Sequence, residues 1–147
     1  MRNNEKGITL VALVVTIIVL LILAGITITF ALNGGILDRA TQAKEATEIA
    51  SIRDYAGFAK LNVMTEHTLA KNGVDSTINI TTGTPISVQS FIEKEFKGTG
   101  FTVKNATEAI FTPSTGTWAE TLLNVESTSS KNTYTVNMNT LEVVKSK

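Results

Sequence analysis

The chain has 147 residues, a formal net charge of zero and no cysteine. The lack of cysteine excludes disulfide bonds and zinc–thiolate sites, and the balance of acids and bases leaves no footprint of a nucleic-acid or acidic-lipid binder. The length allows about one domain, so a small head without disulfide bonds must gain stability by packing onto another element.

Residues 8–32 form an uncharged, apolar run of 25 residues. As an α-helix, rising about 1.5 Å per residue, this run exceeds the roughly 30 Å core of a bilayer and can span it. It could be a cleaved signal peptide, a permanent anchor, or a rod that first lies in a membrane and later packs against copies of itself. A signal peptide is disfavoured, because its apolar region has only about 7 to 15 residues. Arg2 and Lys6 precede the run, which predicts a cytoplasmic N-terminus and an outward-facing remainder.

Polar and flexible positions interrupt the run without forbidding insertion. Threonines stand at four places: Thr9, Thr16, Thr27 and Thr29. A helical threonine can return its hydroxyl to the carbonyl one turn earlier, so we expect these residues to be tolerated. Gly25 predicts a soft point or a close helix contact, because glycine weakens a helix by about 1 kcal/mol relative to alanine.

The stretch "KGITLVALVVTIIVLLILAGITI", residues 6–28, resembles the N-terminus of type IV pilins and of the pseudopilins of type II secretion. These proteins have a short basic leader that ends in glycine directly before a long apolar helix. The resemblance covers roughly residues 1–50. It implies that a membrane-embedded prepilin peptidase cuts between Gly7 and Ile8, removing residues 1–7, and that Ile8 is then N-methylated.

The sequence departs from the pilin pattern at two places. Most major pilins carry a glutamate five places after the glycine, which pairs with a neighbour's N-terminal amine, whereas this chain has Ala12. An unpaired carboxylate is costly in a membrane, so Ala12 makes insertion easier. It also removes the contact that aligns neighbouring subunits during assembly. Whether the chain is a major, minor or tip subunit therefore stays open. The proline that often kinks the helix is also missing. Gly25 and residues 33–35, which include Gly34 and Gly35, offer alternative breaks.

Residues 36–72 are predicted to form an amphipathic helix that ends at Asn72-Gly73 with a glycine C-cap. Its apolar stripe has members spaced by three and four residues: Ile49, Ile52, Ala56, Ala59 and Val63. A coiled coil would cover this stripe for only about two heptads. Packing under a small sheet is therefore favoured.

Residues 73–147 are predicted to form a globular head with one short helix and several strands. The helix covers residues 87–97, is capped by Ser87 and has one apolar side: Val88, Phe91, Ile92 and Phe96. The strands are rich in threonine and valine: Phe101–Lys104, Ala109–Thr112, Trp118–Val125, Thr133–Met138 and Leu141–Val144. The last two are predicted to pair as a hairpin across Asn139-Thr140. The fold class is therefore α+β, a long N-terminal helix packed by a small antiparallel sheet, which the pilin resemblance also implies.

Residues able to carry chemistry are sparse. His67 has no second histidine or cysteine nearby for a metal site and is predicted to be a solvated helix residue. Glu93 and Glu95 are two apart on a helix and would not face each other, which predicts an exposed face. No catalytic residue, metal or cofactor is predicted, and the chain is not expected to be an enzyme. Asn79 and Asn105 begin N-glycosylation acceptor patterns, whose use the sequence leaves open.

Two functions remain. The first is a structural subunit that waits as a single-pass membrane protein, is trimmed after Gly7 and joins a helical filament at the cell surface. Its expected partners are membrane lipid, copies of itself and other pilins, the prepilin peptidase and an assembly platform. The second is a permanently anchored extracellular binding module that uses loops such as residues 112–117.

Overall fold

The computed structural model describes residues 4–33, 35–78, 84–119 and 121–146. Within these ranges lie three α-helices: α1 (Asn4–Asn33), α2 (Ile36–Lys71) and α3 (Gln89–Phe96). They also contain seven short strands: β1 (Ile86–Ser87), β2 (Phe101–Val103), β3 (Ile110–Thr112), β4 (Thr117–Trp118), β5 (Leu122–Ser127), β6 (Thr133–Asn137) and β7 (Val143–Lys145). The chain divides into two compact units, Met1–Lys44 and Glu45–Lys147.

The second unit is built on the apolar stripe of α2. Ile52, Ala56, Ala59 and Val63 are fully buried and Ile49 is partly buried, which confirms the predicted stripe. α2 ends as its sequence predicts, because Gly73 adopts a φ of 72° and the amide of Val74 donates to the carbonyl of Leu69 at 3.0 Å. The helix therefore buries one side and stops at a glycine.

The strands form two antiparallel sheets where one was predicted. The first sheet has the order β1-β3-β4 and the second the order β2-β5-β6-β7. The predicted strand Trp118–Val125 is wrong, because it divides into β4 in one sheet and β5 in the other. Trp118, Leu123 and Val125 are all buried. Successive side chains of a strand point to opposite faces, so an even-numbered and two odd-numbered residues cannot share one face without an interruption between them.

The C-terminal hairpin is confirmed with a longer connection. β6 pairs with β7 so that Val136 faces Val143, and Tyr134, Val136 and Met138 are fully buried. β7 begins at Val143 instead of Leu141, because Leu141 adopts a φ of 58° within the connecting loop. The turn is therefore wider than the predicted Asn139-Thr140 turn.

The short helix α3 starts two residues later than predicted. Ser87 belongs to β1 and Val88 occupies the cap position, although the Oγ of Ser87 accepts from the amide of Gln89, the first residue of α3, at 3.4 Å. Val88, Ile92 and Phe96 are buried as expected, and the ring of Phe96 lies 5.8 Å from that of Tyr55 on α2. The whole is an α+β fold with a long, initially apolar N-terminal helix, as the sequence predicts.

Candidate functional site

The apolar part of α1 is the largest exposed feature of the described chain. Leu10–Phe30, 21 residues with a mean hydropathy of 3.1, forms a helix long and apolar enough to cross a membrane, and none of its most apolar window is buried by other parts of the chain. Its large apolar side chains are 45% to 71% exposed. Such a surface needs lipid or another apolar partner to cover it.

The threonines within this helix satisfy their own hydroxyls. Thr16 donates to the carbonyl of Leu13 at 2.8 Å, and Thr27 donates to that of Leu23 at 2.7 Å. Thr29 likewise donates to the carbonyl of Gly25 at 2.9 Å. The expected hydrogen bond to the preceding turn is present in these three, while the side chain of Thr9 lies outside the described part. No hydroxyl of the three therefore needs water when the helix is surrounded by apolar groups.

The predicted processing residues lie along α1 and are not brought together by the fold. Gly7 and Ile8 belong to its first turns, and their surroundings fall outside the described part of the chain. Ala12 is exposed on the same helix. Gly25 lies inside α1, where a Cβ would meet no heavy atom within 4 Å. Gly35 lies between α1 and α2, and Gly34 is outside the described residues.

A buried carboxylate, which the sequence analysis missed, joins α2 to the β5–β6 hairpin. Glu48 is only 6% exposed. It accepts hydrogen bonds from the hydroxyls of Tyr134 at 2.6 Å and of Ser127 and Ser130 at 2.9 Å each. Glu48 lies one helical turn before Ile52 and so extends the buried stripe. A charged residue at a position of this stripe was the signal in the sequence that could have predicted a buried carboxylate.

The environment of Glu48 holds it in the ionised form. Burial raises the pKa of its carboxyl, but hydrogen bonds from Tyr134, Ser127 and Ser130 together outweigh burial, and the pKa lies below its usual value. The same burial, together with the hydrogen bond to Glu48, raises the pKa of Tyr134 to about 12. The arrangement is that of a structural link in which each oxygen of the carboxylate already accepts hydroxyl protons.

His67 supports the turn between β3 and β4, so its assignment as a solvated residue is wrong. It is half-buried, its Nε2 lies 2.7 Å from the carbonyl oxygen of Pro113, and its ring packs edge-on against Phe111 at 5.3 Å. A carbonyl can only accept, so Nε2 carries the hydrogen. Gly116 has a φ of 69°, and a Cβ there would lie 3.4 Å from the imidazole. A cleft of about 240 Å³ remains beside this turn, lined by Lys71, Ser114 and Thr115 among others.

The acceptor asparagine at position 105 is built into the fold. Its Oδ1 accepts from the amide of Asn124 at 2.7 Å, and its Nδ2 donates to the carbonyl of Leu122 at 2.8 Å and to the Glu108 carboxylate at 2.6 Å. Both hydrogens of the Asn105 side-chain amide are therefore donated within the fold. A glycan would replace one of these hydrogens and so would break one of the two hydrogen bonds. Asn79 lies outside the described residues.

The two carboxylates of α3 lie in different surroundings. Glu93 is exposed and accepts from Gln89 at 2.5 Å, whereas Glu95 is half-buried and accepts from Asn62 of α2 at 2.9 Å. The predicted exposed face is therefore confirmed for Glu93 and wrong for Glu95, which packs toward α2. Across the described ranges, no group of three histidine, aspartate or glutamate side chains is placed to hold a metal ion. Comparisons of the chain with protein-family models, with curated proteins and with solved structures give no match.

Proposed function

We propose that the chain is a structural subunit of an extracellular helical filament of the type IV pilus or pseudopilus class. It is made as a single-pass membrane precursor with a cytoplasmic N-terminus, cleaved after Gly7 and assembled through its apolar helix. The observation that carries this proposal is the helix Leu10–Phe30, whose side chains the rest of the described chain leaves uncovered. The pilin-like leader and the α+β head that follows the helix are compatible with it.

The proposal requires one helix to be stable in two apolar surroundings. In the membrane its side chains contact acyl tails, and in a filament they contact equivalent helices. Lipid tails and aliphatic side chains are similarly apolar, so extraction is feasible where helix packing replaces lipid contacts. A head-to-tail contact that does not close on itself then produces an open helix of subunits. Cleavage removes Arg2, Glu5 and Lys6, whose charges would otherwise enter the packed core.

The test is the substitution Gly7→Val in cells that make the native protein. A side chain at the cleavage site should block the peptidase, leave a slower-migrating precursor on a gel and prevent incorporation into filaments. Gly25→Ala is the matched control for processing, because it also adds a side chain at a glycine of α1 but lies far from the leader. Normal processing of the Gly7→Val chain would contradict the proposal.

The second candidate is an extracellular binding module on a permanent anchor. It is favoured by the cleft beside the turn at residues 113–116, which His67 holds in place. A permanent anchor needs no cut after Gly7. Mass spectrometry of the mature N-terminus therefore separates the two functions, since only the filament subunit begins with a methylated Ile8. In both cases we expect no catalytic activity.

A further inference from the structure

A second cleft lies in the head, where the end of α2 meets α3. Its walls come from these two helices, from β1 and from residues 76–78, and its volume is about 440 Å³. It is larger than the cleft of about 240 Å³ beside the β3–β4 turn. Small-molecule sites usually have volumes of about 300 to 1,000 Å³, so this cleft, which we call the α2–α3 cleft, has the size of a ligand site.

One part of the α2–α3 cleft is apolar. Ile78, Ile86 and Phe91 line it, and the last two are only half-buried by the rest of the chain. A ligand that places carbon atoms against Ile86 and Phe91 would remove the remaining apolar surface from water. Apolar walls combined with a few convergent polar groups are the usual composition of a binding site.

The α2 wall carries a carboxylate that the fold holds in place. Oε2 of Glu66 accepts from the hydroxyl of Ser76 and the amide of Thr77 at 2.9 Å each, and from the hydroxyl of Thr77 at 3.1 Å. The hydrogen bond from the Thr77 backbone is the main reason that the pKa of Glu66 lies below its usual value. The three bonds end on one oxygen, so Oε1 of an ionised, oriented carboxylate can accept from a ligand.

The other polar groups of the cleft supply both acceptors and donors. Asn62 donates its Nδ2 to Glu95 at 2.9 Å, which leaves its carbonyl oxygen as an acceptor one helical turn before Glu66. Lys94 is exposed on α3 and lies near enough for its charge to contribute to the low pKa of Glu66. Ser87 accepts from the backbone, so its hydroxyl keeps a hydrogen to donate.

The charges of the cleft determine the class of ligand that fits it. Glu66 and Lys94 are its two charged lining residues, and their charges cancel. An anionic ligand would therefore be repelled by Glu66 and a cationic one by Lys94, while a zwitterion would have to lose the hydration of two full charges. A hydroxyl group both donates and accepts, so neighbouring hydroxyls of an uncharged ligand can satisfy both residues.

We propose that the α2–α3 cleft binds a neutral saccharide, whose hydroxyls donate to Glu66 and Asn62 and accept from Lys94 while its C–H surface covers Phe91. The few contacts of one or two sugar rings correspond to a dissociation constant of about 1 mM. All of the residues belong to the head, so the site goes beyond the proposed filament and would serve the anchored module equally.

The experiment is an NMR titration of the ¹⁵N-labelled full chain in a polyoxyethylene detergent, because detergents with sugar head groups would compete for the site. The probes are glucose, galactose, mannose, N-acetylglucosamine, lactose and maltose, each added to about 50 mM, well above the expected dissociation constant. Leucine and glucose 6-phosphate are the zwitterionic and anionic probes. At least one neutral sugar should shift the amides of α3 and of residues 76–78 saturably, and more strongly than either charged probe.

Two substitutions on the exposed side of α3 test the location. Lys94→Met should weaken sugar binding about tenfold, because it removes a charge-assisted hydrogen bond. Ser90→Tyr should abolish binding by filling the cleft. Lys97→Met is the matched control, because Lys97 is an exposed lysine three residues later that does not line the cleft. Its affinity for the sugar should equal that of the wild type, and all three variants should keep the wild-type melting temperature.

Three results would overturn the proposal. The first is that no neutral sugar binds saturably. The second is that leucine or glucose 6-phosphate binds at the same amides more tightly than every sugar, which would mean that charge and not hydroxyl groups selects the ligand. The third is that a sugar binds to the folded Ser90→Tyr variant as tightly as to the wild type, which would place its site elsewhere on the head.

Discussion

The Glu48 carboxylate ties together parts of the chain that are far apart in sequence. Tyr134, its closest hydroxyl donor, follows 86 residues later. Three buried or half-buried hydroxyls point at one charged acceptor, and a hydrogen bond to a charged group contributes more than a neutral one. Ionised Glu48 is therefore one link between the head and α2, beside the buried apolar stripe of the same helix.

Glu48→Gln should destabilise the head by about 1 to 3 kcal/mol, because the amide nitrogen turns a donor toward hydroxyls that also donate. The pKa of Glu48 is lower in the folded chain than in the unfolded chain. Its stabilising contribution is therefore present above the unfolded pKa and lost as the pH falls through the folded pKa. Thermal unfolding of the full chain in detergent, from about pH 7 to about pH 3, measures both effects.

Glu142→Gln is the control for this experiment, because Glu142 is an exposed carboxylate on the β6–β7 loop. Its melting temperature should stay near that of the wild type at neutral pH, and its decline in acid should be unchanged. The Glu48→Gln variant should instead show a flatter decline. Equal acid sensitivity in the two variants would contradict the role given to Glu48.

At the scale of the elements, Gly57 lowers the stability of the α2 helix, and the fold does not need a glycine at this position. It lies within the helix, and a Cβ there would lie 3.7 Å from Cδ1 of Leu141, which is ordinary van der Waals contact. Gly57→Ala should therefore stabilise the head by about 0.5 to 1 kcal/mol, because alanine loses less backbone entropy in a helix. Chemical denaturation measures the change, with Gly116→Ala as the opposite case, since its positive φ should make alanine destabilising. A loss of stability in Gly57→Ala would show that Leu141 needs the space.

Local patterns predicted the elements well and their long-range contacts poorly. Spacings of three and four residues predicted the buried side of α2, and alternation from Tyr134 to Met138 predicted the hairpin. The division of residues 118–125 into two strands was also readable, because Trp118 lies an odd number of residues from Leu123 and Val125 and cannot face the same core as they do within a single strand. The hydrogen-bond partners of Glu48 and His67 could not be predicted in this way. His67 and Pro113, for example, are 46 residues apart in the sequence, and no local periodicity links them.

At the scale of the whole molecule, the hydrophobic core belongs to one of the two units. In the described part of the chain, every core residue lies between Ile52 and Val143, within the unit Glu45–Lys147. The apolar residues of Leu10–Phe30 stay exposed. The apolar side chains of Leu10–Phe30 therefore need an apolar environment, while the second unit forms its apolar core from its own residues. Among the described residues, the buried indole Nε1 of Trp118 is left without a hydrogen-bond partner in that core.

A chain that starts at Ile36 should consequently be a soluble, folded monomer. The truncation removes exposed apolar surface and leaves the core intact. The melting temperature of the truncated chain should therefore lie within about 4 °C of that of the full chain in detergent, which is the shift that a change of about 1 kcal/mol in stability would cause. The apolar side chains that stay exposed on α2, such as Phe58 and Leu61, are too few to dimerise it at micromolar concentrations. Circular dichroism and size-exclusion chromatography measure both properties. Ile52→Ala in the truncated chain is the control that the assay senses the core, because emptying this fully buried site should cost about 2 to 5 kcal/mol. Aggregation, or a much lower melting temperature, would mean that the head takes part of its stability from the segment before Ile36.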